Sequence, residues 1–361
     1  MKTYPLQSMT MDQAQQKQFR LVDIICQHFP GSDFLTQGDL GLVPGLNQPQ
    51  ITQRVEQVLA DFFSAESAAL VGGAGTGALR VGLAAMLKSG ETLLVHDAPI
   101  YPTTRVSIEQ MGIKVITANF NQLAEVKKVI KAHSPKACLI QHTRQKMDDS
   151  YYLPDVIELM NSFQIPTIID DNYAVMKTSQ IGCEANASLS TFSSFKLLGP
   201  AGVGVIVGER QWISKIRATM YSGGSQIQGY QAMEVLRGLV FAPVTHAVQA
   251  SVNDELVVRL NHGEIRAVKH AFLANAQSKV LLIEFNQPIA KQVLAKATEM
   301  GALPYPVGAE SRFEIPPLFY RISGTFREAA PDLEERMIRI NPNRSGAETI
   351  MRILRNSCSE L

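Results

Sequence analysis

A chain of 361 residues, 45% hydrophobic and 19% charged, is too long for one simple core and suggests about two domains. With 34 Lys and Arg against 33 Asp and Glu, the formal net charge is +1, which sets up no field to attract nucleic acid or an anionic membrane. No run of about eighteen apolar residues occurs. The N-terminus lacks the apolar stretch of a signal peptide. The four scattered cysteines (Cys26, Cys138, Cys183, Cys358) form no metal-ligand cluster, so a cytoplasmic protein without a metal is expected.

Residues 31–50, rich in Gly, Pro, Asn and Gln, read as an extended arm, and 1–50 is set apart as an N-terminal segment. Strand-like runs then end at Val71, Val95, Ile116, Ile140, Ile169 and Phe192, with another over 202–207. Helix-length segments such as 78–87, 123–132 and 153–163 lie between them. This alternation predicts an α/β fold over 51–240, a mostly parallel doubly wound sheet with ligands at the carboxyl ends of its strands. After about residue 240 the pattern becomes a long helix (244–260), a strand (280–285), a helix (289–300) and strands at 318–322 and 337–340. A closing helix begins near Ser345, where Ser345 and Glu348 have capping-box spacing. Residues 241–361 therefore read as a smaller C-terminal α+β domain.

Five segments carry chemistry. In Val71-Gly72-Gly73-Ala74-Gly75-Thr76-Gly77-Ala78, glycines between a strand and a helix expose backbone N–H groups suited to phosphate. The same residues match a GxGxxA dinucleotide fingerprint, and a plain tight turn is the bland reading. Tyr101, just beyond the strand ending at Val95, could stack on a planar cofactor or simply pack. Asp170 and Asp171 end an apolar strand, where a carboxylate could bind a protonated pyridine nitrogen or cap the next helix. Lys196, in Ser193-Ser194-Phe195-Lys196, is either a surface lysine or a Schiff-base lysine. Arg339 lies within an apolar strand, where a substrate carboxylate or a structural ion pair would satisfy its guanidinium.

The order of these segments resembles that of fold-type I pyridoxal 5'-phosphate (PLP) enzymes, over nearly the whole chain. That group includes aspartate aminotransferases, class V aminotransferases and cystathionine γ-synthase-like lyases. Within it the chain is most similar to a group of bacterial PLP proteins from which no defined reaction carries over. The resemblance implies PLP held as a Schiff base on Lys196, with Gly75-Thr76-Gly77 as the phosphate turn. It implies Tyr101 stacked on the ring, Ser193 on the phosphate and Arg339 on the substrate carboxylate. Asp170 with Tyr173 repeats a D-x-x-Tyr arrangement whose tyrosine meets the ring hydroxyl, whereas Asp171-Asn172 is similar to the γ-synthase Asp-Asn pair. Asp170 is favoured, because Asp171 would put the bulky Tyr173 at a position usually small and pressed on the ring. Ser222-Gly223-Gly224-Ser225 and Leu236-Arg237-Gly238-Leu239 also resemble γ-synthase segments.

One departure stands out. Class I aminotransferases place a phosphate-binding arginine about eight residues after the lysine, and here that stretch is Gly202-Val203-Gly204-Val205. A partner subunit's groups, with Arg54 as candidate, are expected to replace it. The resemblance implies a homodimer or larger homo-oligomer acting on an amino acid or 2-oxo acid. An aminotransferase is the main expectation, with a carbon–sulfur or carbon–oxygen lyase as the alternative. A non-catalytic PLP-binding regulator is a lesser alternative, lacking any DNA-binding extension. A nicotinamide oxidoreductase would leave Lys196 and Arg339 unexplained. A desulfurase would need a nucleophilic cysteine near the site, for which Cys358 is poorly placed.

Overall fold

The computed structural model describes residues 2–276, 278–308, 310–322 and 332–359. They form two compact units. The larger comprises 12–142 and 150–243, and the smaller comprises 1–11, 143–149 and 244–361.

The larger unit is built on seven strands: β1 (Ser67–Gly72), β2 (Thr92–His96), β3 (Lys114–Ala118), β4 (Ala137–Gln141), β5 (Thr167–Asp170), β6 (Leu189–Ser193) and β7 (Val203–Gly208). They lie in the order β1-β7-β6-β5-β4-β2-β3. The pairs from β6 through β5, β4 and β2 to β3 are parallel. β7 is antiparallel to both β1 and β6. Two reversals cancel, so β1 runs the same way as β6, and Gly72, Asp170 and Ser193 all end at one sheet edge. The expected mostly parallel sheet is present, with β7 as its exception.

Alternate strand residues feed opposite cores, as a pleated strand requires. Leu93, Leu139, Ile168 and Ile206 pack with α3 (Ala74–Met86) and α7 (Arg210–Thr219) on one face. Leu94, Ile140 and Ile169 pack with α5 (Leu123–His133) and α6 (Leu153–Ser162) on the other. Leu70, Phe192, Val205 and Val207 join α1 (Met11–His28), α2 (Gln50–Phe62) and α8 (Gly229–Asn261) in a third cluster. A helix over 11–28 was not among the sequence expectations. Residues 36–49 carry neither helix nor strand.

The predicted helix over 244–260 is the second half of the 33-residue α8, which Pro243 interrupts in sequence but not in helicity. The stretch Gly223–Asn261 is long and apolar enough to cross a membrane by composition, yet 56% of its most apolar window is buried inside the protein, as in a core helix.

The smaller unit holds an antiparallel sheet in the order β10-β11-β9-β8: β8 (Val268–Ala276), β9 (Ser278–Phe285), β10 (Leu318–Arg321) and β11 (Met337–Asn341). α9 (Ala290–Glu299), a short α10 (Leu333–Arg336) and α11 (Ala347–Cys358) complete it. Residues before α1 join this unit through Thr3 Oγ1, which donates to Leu273 O at 2.9 Å. The predicted capping box does not form. Gly346 is the N-cap of α11 without a side-chain bond. Glu348 instead accepts from Arg259 at 2.7 Å, in an ion pair with a helix far away in the sequence.

Candidate active site

The glycine-rich turn sits where β1 meets α3. Gly73 takes the left-handed conformation at φ 90° as the N-cap of α3, a backbone state glycine adopts without steric cost. The amides of Gly73 and Ala74 donate to Gly202 O at 2.9 and 3.0 Å. The amides of Gly75 and Thr76 take no protein acceptor among the described residues. They lie in the first turn, where N–H groups lack intrahelical partners and the helix dipole favours an anion. Gly77 must be a glycine, since a Cβ there would come 2.1 Å from Gly72 O. The same packing explains the missing arginine. Gly204 is eight residues past Lys196, and a Cβ there would meet Ala74 O at 2.3 Å, so β7 presses too closely on the start of α3 for any side chain.

Lys196 lies in the one-turn 3-10 helix Ser194–Leu197 that follows β6. Its Nζ donates to Asn172 Oδ1 at 3.3 Å and lies 4.5 Å from the centre of the Tyr173 ring. The same Asn172 oxygen accepts from Ser193 N at 2.9 Å. Asn172 Nδ2 and its backbone N donate to Asp170 Oδ1 at 2.7 and 3.1 Å. Burial raises the Asp170 carboxyl above the ordinary carboxylate range, opposed by the Asn172 bonds and the Lys196 charge.

Asp171 has the opposite environment. It is fully buried, with Oδ1 2.6 Å from His142 Nδ1 and Oδ2 accepting from Gly182 N at 3.2 Å. Both of its oxygens are engaged by the protein, whereas Asp170 shares a hydrogen-bond chain with Lys196.

Tyr101 is the half-buried N-cap of α4 (Pro102–Gln110). In the next turn Thr103 Oγ1 lies 2.9 Å from Thr76 Oγ1, tying α4 to the phosphate turn. Gly75, Thr76, Gly77, Tyr101, Asp170, Asp171, Tyr173, Ser193 and Lys196 all belong to the larger unit. Arg339 belongs to the smaller one, in mid-β11 opposite Tyr320 and Leu282. Its guanidinium carbon is 4.9 Å from the centre of the Tyr320 ring. Arg54, expected to serve a partner, bonds Asp33 at 2.9 Å and lies over Phe29 within its own chain.

These groups suit PLP: two first-turn amides and the Ser193 hydroxyl for a phosphate, a partly exposed acid for a pyridinium, and an amine for an aldehyde. Sequence reasoning gave no role to Asn172 or His142. Asn172 bridges residues 170 and 196, and no local pattern announces such a bridge.

Comparison with known proteins identifies the family and the fold. The family model for Cys/Met metabolism PLP-dependent enzymes matches residues 47–285, and that for the YhfS-like C-terminal domain matches 254–354. The Escherichia coli K12 protein known as "Uncharacterized protein YhfS" is 65% identical over 361 residues, covering all of both chains. The crystal structure of the pyridoxal-5'-phosphate-dependent protein YhfS from E. coli superposes with a TM-score of 0.99, again over all of both chains. A cystathionine gamma synthase from Xanthomonas oryzae pv. oryzae shares the fold at 17% identity and a TM-score of 0.66, covering 90% of this chain and 91% of that one.

Proposed function

Since the chain belongs to the Cys/Met metabolism PLP-dependent enzymes, we propose that it is a lyase that breaks a carbon–sulfur or carbon–oxygen bond in an amino-acid substrate. The family match favours this reading over the aminotransferase expected from sequence. The observation that carries the site assignment is the chain Lys196–Asn172–Asp170 beside the α3 N-terminus.

Lys196 Nζ would hold the cofactor covalently. The amides of Gly75 and Thr76 and the hydroxyl of Ser193 would bind its phosphate, with Gly77 keeping the turn tight. Tyr101 would lie on the ring face and Tyr173 would meet the ring hydroxyl. Asp170 would keep the pyridine nitrogen protonated, with Asp171 held behind it by His142. Arg339 would bind the substrate carboxylate by a bidentate pair. When bound, PLP supplies an electron sink for charge developing at the substrate Cα. Lys196 Nζ, released when substrate binds, would take the Cα proton as general base.

The acting form would be a symmetric homo-oligomer. Four free cysteines, two of them buried, suit a reducing cytoplasm.

The test has two parts. Borohydride reduction of the purified protein fixes a pyridoxyl group on Lys196, seen by mass mapping. Incubation with thioether and O-acyl amino acids one at a time, without a 2-oxo acid acceptor, releases ammonia and a 2-oxo acid. Turnover only when an acceptor is added would return the assignment to aminotransfer.

A further inference from the structure

Two helices meet at the proposed phosphate turn, and the side chains that join them have no task in the chemistry above. We infer that Thr103 is a positioning residue: its hydroxyl, bonded to Thr76, fastens the start of α4, and with it Tyr101, to the phosphate turn. The inference rests on the roles proposed above for the α3 amides and Tyr101.

The tie has two rungs. Thr76 Oγ1 and Thr103 Oγ1 lie 2.9 Å apart, in the first turns of α3 and α4. Four residues on in both helices, Arg80 Nε donates to Ser107 Oγ at 3.3 Å. Residues four apart stack on one face of a helix, so the two rungs join the same pair of faces and set the helices in register. Ser107 is held from both sides, since its hydroxyl also donates to Thr103 O at 2.9 Å. The inner rung is firmly seated. Ser107 is buried, and the next residue, Ile108, packs in one apolar cluster with Leu79 and Leu83 of α3. The outer rung holds the end of α4 whose N-cap is Tyr101. Pro102, between Tyr101 and Thr103, has a locked φ, so Tyr101 follows any shift of Thr103.

The chemistry of hydroxyls adds a direction. A threonine hydroxyl has one proton to donate and can accept as well. When Thr103 donates to Thr76 Oγ1, the Thr76 proton is free to turn toward an anion at the α3 N-terminus. The pair then adds a donor beside the Gly75 and Thr76 amides without adding charge. In open water such a bond competes with solvent, and it strengthens when a bound group excludes water. Thr103 thus links the phosphate contact and the ring contact of one cofactor through a single bond.

The test uses the full chain loaded with PLP. Retention of PLP on dialysis reads the phosphate contact, and circular dichroism in the cofactor's absorption band reads how the ring is held. Thr103→Val keeps the branched shape and removes the hydroxyl. It should lose PLP about fivefold faster and shift the dichroic band as Tyr101→Leu shifts it. Thr103→Ala should match it, and serves if the valine variant does not fold. Thr103→Ser restores the hydroxyl and should return both readouts to wild type. In a Thr76→Val background the Thr103→Val change should add no further loss, because the partner is already gone. Wild-type PLP retention in Thr103→Val, equal losses with and without the Thr76 hydroxyl, no recovery in Thr103→Ser, or a band that moves in Tyr101→Leu but not in Thr103→Val overturns the tie. Failure of the ring assignment is read separately, as an unchanged band in Tyr101→Leu, and the Thr76–Thr103 coupling in PLP retention then decides the tie by itself.

Discussion

Asp170 lies at the end of β5 with one oxygen held by both nitrogens of Asn172, and burial raises its carboxyl above the ordinary value of 3.8. The folded chain therefore holds this proton more tightly than the unfolded chain does. Its contribution to stability is full below pH 3.8 and is lost as pH rises through the raised folded value. Ionising the buried carboxyl therefore costs the cofactor-free protein stability. Asp170→Asn keeps an oxygen for the Asn172 donors and removes the charge. Calorimetry of the cofactor-free full chain should show Tm at pH 7 raised by about 1–3 °C, and a weaker fall in stability from acid to neutral pH. A lower Tm at pH 7 would mean that the Lys196 charge outweighs desolvation. Asp171 shows how differently an adjacent acid can be used. Its two protein partners make it part of the scaffold.

At the scale of elements, the position of Lys196 depends on how closely helices approach the sheet edge. α8 passes the residues that follow the lysine so tightly that a Cβ on Gly238 would lie 2.5 Å from Gly199 N and 2.6 Å from Leu198 C. Backbone atoms cannot rotate aside as a side chain can. In an open helix Gly→Ala stabilises by about 1 kcal/mol. Here Gly238→Ala should instead destabilise by about 1–3 kcal/mol through overpacking, measured by urea unfolding. The variant should also lose cofactor on dialysis, because the displaced segment carries Lys196. Stabilisation with cofactor retained would show that the helix yields without cost.

Elements also mark where local patterns fall short. β8 was not foreseen, because Lys269, His270 and Asn275 break its apolar run. It is an edge strand, paired only with β9 within the sheet, and an edge needs fewer apolar residues. The Ser345–Glu348 spacing pointed to a cap, but Glu348 pairs with Arg259 from a helix far away in the sequence.

For the whole molecule, the stretch 36–43 runs along 223–230. Gly41 N donates to Gln228 Oε1 at 2.7 Å, and Leu42 packs beside Gly223. This surface exposes Leu35, Leu40, Tyr221 and Tyr230, at 78, 74, 83 and 49%. Large apolar side chains grouped this way favour covering by another chain. Light scattering should give a mass at least twice the 39.6 kDa of one chain. Leu40→Asp with Tyr221→Glu should shift it toward one chain while circular dichroism stays unchanged. A wild-type monomer active at low concentration would remove the proposed assembly.

The sequence by itself determined the alternating α/β order and the glycine turn, and it placed Asp170 at the end of one apolar strand and Lys196 just beyond another. Each of these is a local matter of hydrophobic period, backbone freedom or position at a strand end. Only the tertiary structure decided that Asp171 turns to His142 while Asp170 shares Asn172 with Lys196. It also decided that Gly204 and Gly238 cannot carry side chains, and that Glu348 serves Arg259. Those outcomes depend on atoms brought within about 3 Å by strands and helices far apart in the chain, and no spacing along one segment encodes that approach.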